Sequence, residues 1–189
     1  MNFIENIDFA ILYWIQENIR CAFFDVIFPI ITSLCDGGIV WIISGVALLF
    51  FKKYRKYGIF LLVAMLLGSL IGNELIKPLV ARPRPCHLVS LLPDMLIEVP
   101  TSFSFPSGHT VSSVVAATVL TRANKKFGYV AIPLAVLIAF SRMYLFVHFP
   151  TDILAGTILG FALGFATVSL GNILIEKFIL HMQKGTNEN

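Results

Sequence analysis

The sequence predicts an all-α fold: a polytopic membrane helix bundle of about five to six transmembrane helices with an N-terminal amphipathic helix. Three observations carry this. Hydrophobic residues make up 57% of the 189 positions and the mean hydropathy is +0.84. Charged residues reach only 13%, about half the share usual in soluble domains. Apolar runs close to the ~20 residues that a helix needs to cross a bilayer recur along the chain, and lysine and arginine gather in the short turns between them. The whole chain, 1–189, reads as a single membrane-embedded domain, with an interfacial helix at 1–20, an extracytoplasmic loop at 81–106 and a cytoplasmic tail at 176–189.

Residues Asn2 to Arg20 interleave Phe3, Ile4, Ile7, Ile11, Leu12, Trp14 and Ile15 with Glu5, Asp8, Gln16 and Glu17, a spacing suited to a helix lying on the bilayer surface. Acidic residues and the lack of an early basic segment argue against a cleaved signal peptide. Cys21 to Phe51 is apolar but broken at Asp36-Gly37-Gly38, which predicts a short segment and then a spanning helix mostly after the break. A basic turn, Phe51 to Lys56, leads to a second span from Tyr57 to about Val80. The loop that follows holds Leu88, Val89, Leu91, Leu92, Met95, Leu96 and Ile97, too apolar for a free loop, and is expected to dip into the interface as a lid. Further spans are expected from Ser107 to near Thr121, from Phe127 to Val147 and from Pro150 to Ile175, the last followed by a polar tail. Gly156, Gly160 and Gly164, like Gly68 and Gly72, let a neighbouring helix approach closely.

Charge placement sets the orientation. Lys52, Lys53, Arg55, Lys56, Arg122, Lys125, Lys126, Lys177 and Lys184 fall on one side, expected to be cytoplasmic. Arg20, Lys77, Arg82, Arg84 and Arg142 fall on the other. The net charge of +3 is small and no basic patch suits nucleic acid. Cys21, Cys35 and Cys86 lack metal-ligand spacing, and no acidic cluster or H-E-x-x-H appears, so no metal or other cofactor is expected.

Three polar clusters remain: Lys77 to Pro85 at the end of the second span, Pro106-Ser107-Gly108-His109 at the start of the third, and Arg142 to Asp152. Pro150 suits the first turn of a helix, placing His148 at an exposed corner just before it and Asp152 within that turn, where the carboxylate reaches one imidazole nitrogen. Two clusters open helices, whose free N–H groups and dipole favour anions. Gly108 allows close approach, Ser107 adds a hydroxyl donor, and Lys77, Arg84 and Arg142 add positive charge suited to phosphate oxygens. Two histidines, His109 and His148, are left for covalent and acid work. Glu74, three residues before Lys77 within the second span, has two readings, a functional intramembrane acid or a simple partner of Lys77.

The patterns K-x6-R-P (Lys77 to Pro85), P-S-G-H (Pro106 to His109) and S-R-x5-H-x3-D (Ser141 to Asp152) together resemble the signature motifs of the type 2 phosphatidic acid phosphatase superfamily. The similarity runs from Lys77 to Gly164 without departure at the signature positions, the family's extra N-terminal span being replaced by an amphipathic helix as in its shorter bacterial members. The resemblance implies that His148 is a nucleophile forming a phosphohistidine, that Asp152 orients it, and that His109 protonates the leaving oxygen. Lys77, Arg84, Ser107, Gly108 and Arg142 would hold the phosphate, without metal. Arg82 is left to touch a second phosphate or the surface. The implied substrate is a membrane lipid phosphate or pyrophosphate in a bacterial cytoplasmic membrane, with the site facing outward. Undecaprenyl pyrophosphate is the leading expectation, and phosphatidylglycerophosphate, phosphatidic acid or a lipid A phosphate are the alternatives. A lipid transporter, from a different class, would need the basic headgroup site but leaves the two histidines and Asp152 without a purpose.

Overall fold

Proline, glycine and the basic turns cut the apolar chain into helices. The computed structural model describes residues 3–89 and 95–187, and among these the elements are α1 (Phe3–Asn18), α2 (Ala22–Ser33), α3 (Ile39–Leu49), α4 (Arg55–Ser69), α5 (Lys77–Val80), α6 (Pro85–Leu88), α7 (Gly108–Ala123), α8 (Lys125–Tyr144) and α9 (Pro150–Asn187). No strand occurs among the described residues. The protein is an all-α membrane bundle. Arg55–Leu88, Lys125–Tyr144 and Pro150–Phe178 are each long and apolar enough to cross a bilayer, and α2 with the helix after its break makes a fourth such unit bent by 44°. These are three or four of the five to six spans expected. The helix that falls short is α7, with 16 residues and a Ser/Thr-rich sequence. Its surroundings explain this: α7 packs on α4, α8 and α9, so protein rather than lipid covers it and Ser113 and Thr110 can be fully buried.

The segment around Asp36 differs from expectation. The helices before and after the break are nearly equal, 12 and 11 residues, because Gly37 and Gly38 both take positive φ (59° and 75°) and turn the chain midway. α9 also runs on to Asn187, through the stretch expected as a polar tail. Nothing in Glu176–Lys184 breaks a helix, so the pattern continues past the apolar part.

α1 has two apolar faces. Phe9, Leu12 and Ile15, together with Asp8, are buried against the ends of α8 and α9, while Phe3, Ile4, Ile7 and Trp14 stay outside. That suits a helix wedged between bundle and bilayer. Of the expected lid, Met95, Leu96 and Ile97 pack on a cluster of Phe28, Tyr144, Leu145 and Val147; Leu91 and Leu92 lie outside the described residues.

α9 crosses α7 on its glycines. A Cβ at Gly160 would lie 2.7 Å from the Val111 carbonyl oxygen, and one at Gly156 would lie 3.0 Å from that of Ser107. These neighbours are backbone and cannot rotate away. Gly160→Ala should therefore force the helices apart and cost about 1–3 kcal/mol, the usual penalty of overpacking. The expected result is a clearly lower melting temperature in detergent; an unchanged one would mean the two helices are not in this contact.

Candidate active site

The turn from α8 into α9 is tight. The Arg142 carbonyl accepts from the N–H groups of both Val147 (3.1 Å) and His148 (3.3 Å), and Phe146 takes a positive φ of 58°. That conformation is unfavourable for a side chain by about 1–2 kcal/mol. Burial of Phe146 among Phe9, Tyr13 and Phe149 offsets it. The corner expected to be exposed is in fact buried: Val147, His148 and Phe149 are at most 1% exposed, since α1 covers them from outside.

Within this corner Asp152 Oδ2 accepts from the Phe149 N–H (2.9 Å) and lies 3.3 Å from His148 Nδ1. His148 Nε2 lies 3.0 Å from Arg84 Nη1. A guanidinium only donates, so Nε2 is the lone-pair nitrogen and the ring proton sits on Nδ1, facing the carboxylate. Burial, and then the charges of Arg84, Arg142 and Lys77, hold the imidazole well below the usual histidine range and keep it neutral.

The start of α7 meets this corner directly. The Ser107 N–H donates to the Asp152 carbonyl (3.2 Å). The Ser107 hydroxyl is fully buried and caps α7, accepting from the Thr110 amide (3.4 Å) and hydroxyl (3.0 Å). The amides of Gly108 and His109 have no partner among the described residues. Gly108 packs against Asn73, whose Oδ1 would be 3.0 Å from a Cβ there. His109 Nε2 lies 3.0 Å from Asp36 Oδ1.

The basic residues arrive through irregular backbone. Pro78 cannot donate to Glu74, and its ring crowds that carbonyl. The helix widens into a π-helical stretch over Leu70–Ile76, where the Lys77 N–H reaches back to the Gly72 carbonyl. Glu74 and Lys77 form no ion pair within 4.0 Å, which goes against the reading of Glu74 as a simple partner of Lys77. Both residues nonetheless line the cavity. Ala81 then takes a left-handed φ of 49° and ends the helix. Arg84 is locked by the Ser102 carbonyl (2.7 Å), the Ser102 hydroxyl (3.0 Å), the Phe103 carbonyl (3.3 Å) and the Val147 carbonyl (2.8 Å). Arg142 is less committed. Its Nη1 donates to Thr32 (2.6 Å), and its Nε is buried without a partner.

Arg82 corrects the sequence reading. It points neither to a second phosphate position nor to the surface. Nη1 binds Asp152 Oδ1 (2.7 Å) and Nη2 binds Asp8 Oδ2 (2.7 Å). Two acids recruit it, and one of them comes from α1, far away in sequence.

Lys77, Arg84, Gly108, His109, Arg142 and His148 all line one cavity of about 780 Å³, with Asp152 behind His148. Glu98, Val99 and Pro100 of the long loop form part of its wall. The arrangement can concentrate positive charge and open amides on a phosphoryl-sized anion while presenting a neutral imidazole nitrogen to it. Asp8, Asp36 and the Ser102–Phe103 segment are the residues that sequence reasoning missed. Asp8 left a trace, an acid on the buried stripe of an amphipathic helix; Asp36 left another, an acid beside two glycines in an apolar run.

Known proteins resemble this chain in sequence and in fold. The family model described as PAP2 superfamily matches residues 57–175. The chain is 38% identical over 133 residues to an undecaprenyl-diphosphatase of Sulfolobus acidocaldarius, covering 69% of this chain and 63% of that protein. It is 35% identical over 140 residues to a lipid A 4'-phosphatase of Porphyromonas gingivalis, covering 66% and 58%. The chain thus spans less than two thirds of the length of these curated relatives. The crystal structure of a transmembrane PAP2-type phosphatidylglycerolphosphate phosphatase from Bacillus subtilis superposes with a TM-score of 0.73 at 29% identity, covering 91% of this chain and 88% of that one.

The assignment at His148 can be read by NMR of 15N-histidine-labelled protein, with a His148→Gln sample to identify the signal. A depressed pKa means that protonation occurs only at lower pH, so the neutral Nδ1–H form should persist below pH ~6.5, the ordinary histidine midpoint. A His148 imidazolium already present at about pH 6.5, or a neutral form protonated on Nε2, would contradict the geometry.

Proposed function

The chain belongs to the PAP2 superfamily, and from that premise we propose that it hydrolyses a membrane lipid phosphate or pyrophosphate, without a metal, through a phosphohistidine. One observation carries the proposal. His148 Nε2, with Nδ1 held against Asp152, opens onto a cavity ringed by Lys77, Arg84, Arg142 and the Gly108 and His109 amides.

The phosphoryl oxygens bind to these cations and amides, and one of them takes over the Arg84 Nη1 hydrogen that faces Nε2, freeing the lone pair while Arg84 stays in place. Nε2 attacks phosphorus while the bond to the leaving oxygen breaks, and His109 gives that oxygen a proton. Asp152 stabilises the positive charge that develops on the ring. Water then attacks the phosphohistidine, His109 takes its proton, and inorganic phosphate leaves. Positive charge at the transferring group serves where other enzymes use a cation. Ser107 acts through the α7 cap, fixing the two amides.

The charge asymmetry supports a cavity facing the extracytoplasmic side, with 81–106 outside and 176–189 inside, and the proposed setting is a bacterial cytoplasmic membrane. The leading substrate is undecaprenyl pyrophosphate, cleaved to the monophosphate; similarity to an undecaprenyl-diphosphatase supports it. A specific observation favours a second reading. Arg82, the cation available for a second phosphate, is already bound to two acids. That suits a phosphomonoester such as phosphatidylglycerophosphate, as in the similar Bacillus subtilis structure.

Two tests follow. His148→Ala should lose activity on the order of 1,000-fold or more and trap no labelled phosphate at alkaline pH, where phosphohistidine survives; full activity would end the nucleophile assignment. Across isoprenoid pyrophosphate, phosphatidylglycerophosphate, phosphatidic acid and lipid A phosphate, all assayed in EDTA, kcat/KM should favour the first. An advantage of about tenfold, ~1.4 kcal/mol, for a glycerophospholipid monoester would install the second reading.

A further inference from the structure

The buried acid of α1 has no place in the mechanism above, yet it sits one residue away from it. Asp8 is 1% exposed and makes three polar contacts, all directed at the α9 start and Arg82. Its Oδ1 accepts from the Thr151 N–H (3.1 Å), and its Oδ2 accepts from the Thr151 hydroxyl (2.6 Å) and from Arg82 Nη2 (2.7 Å), the last closing an ion pair. It thus caps α9 from another helix, at the end where a negative charge is favoured. The next residue, Phe9, packs edge-on to Phe149 at 5.2 Å, and the Arg82 guanidinium lies 3.9 Å from the centre of the same ring.

The geometry of the fork is the informative part. A guanidinium facing one carboxylate normally takes both oxygens in a bidentate pair. Here Arg82 is split. Nη2 goes to Asp8, and only Nη1 reaches Asp152, donating both to its Oδ1 (2.7 Å) and to Thr151 Oγ1 (2.8 Å). Asp152 Oδ2 is thereby left to His148 Nδ1 and the Phe149 amide. One cation stands between two buried carboxylates, so the group behind the imidazole keeps a net negative charge.

We propose that Asp8 is a positioning residue for the reaction: by holding the far end of Arg82, it prevents a bidentate Arg82–Asp152 pair and reserves Asp152 Oδ2 for His148. The proposal rests on His148 being the nucleophile. Without the Asp8 charge the fork rotates onto Asp152, its second N–H takes Oδ2, and the imidazole loses both its orientation and the charge that stabilises its phosphorylated form. Asp8, Arg82 and Asp152 are not among the residues lining the cavity, so substrate binding is expected to be unaffected.

The test uses the full-length protein in detergent with an aryl phosphate and a lipid phosphate. Asp8→Asn keeps the shape and an acceptor for Thr151 but removes the charge. The expected result is a fall in kcat on the order of tenfold with KM within about twofold, at nearly the wild-type melting temperature. The His148 Nδ1–H resonance should also move upfield as its hydrogen bond weakens. Asp8→Glu, which keeps the charge at a longer reach, should lose less kcat than Asp8→Asn; it also carries the test if the amide variant does not fold. A folded Asp8→Asn with wild-type kcat, or a loss confined to KM or to melting temperature, means that Asp8 only fastens α1, and overturns the proposal. His148→Ala measured alongside separates the two assignments. If it is inactive while Asp8→Asn is fully active, only the Asp8 proposal falls; if it is active, both fall.

Discussion

One backbone contact holds the site together: the Ser107 N–H on the Asp152 carbonyl, at the point where α9 rides over the start of α7. It joins two motifs separated by more than forty residues and places the open amides of Gly108 and His109 across from His148. The contact requires the two helices to touch, and they touch because Gly156 and Gly160 present no side chain to the α7 carbonyls. In a membrane such closeness cannot come from expelling water between apolar surfaces, since lipid is equally apolar; it comes from shape and backbone proximity. The glycine row and the polar motifs are therefore one device.

Charge is the second constraint. Lys77, Arg84 and Arg142 face one cavity, and cations so placed repel one another strongly where water is scarce. Glu74 and Glu98 share the cavity lining with them, and further acids stand behind or beside the working groups. Asp152 lies behind His148, Asp8 behind Arg82, and Asp36 at the rim against His109. Each histidine has a carboxylate partner, one fully buried and one largely exposed, on opposite walls. The cavity itself is left with a surplus of donors, including the unpartnered Nε of Arg142. That surplus is what an anionic phosphoryl group would satisfy.

Irregular backbone does the aiming. The π-helical turns before Lys77, the left-handed Ala81 after it and the left-handed Phe146 ahead of His148 each redirect a short stretch that regular helix would leave on the wrong face. The long loop then closes on the result, its Ser102 and Phe103 carbonyls taking up Arg84. Arg84 is rigid because the loop holds it, and the loop is ordered there because Arg84 needs acceptors.

The sequence by itself determined the fold class, most helix positions and the cations and histidines that line the cavity. Apolar run length, Pro150 at a helix start and Ser107 at a helix cap are local signals, written within a few residues of where they act. The three motifs carried the site because each fixes its own short geometry, as H-x3-D does by setting His148 and Asp152 one turn apart. Only the tertiary structure decided where Arg82 points, that Glu74 leaves Lys77 unpaired, that the His148 corner is buried, and that Asp8 and Asp36 belong to the site. These depend on partners distant in sequence, such as Asp8 and Thr151, 143 positions apart. The electrostatic choice of a guanidinium between two acids is made by what packing brings within hydrogen-bond distance, and no local pattern encodes it.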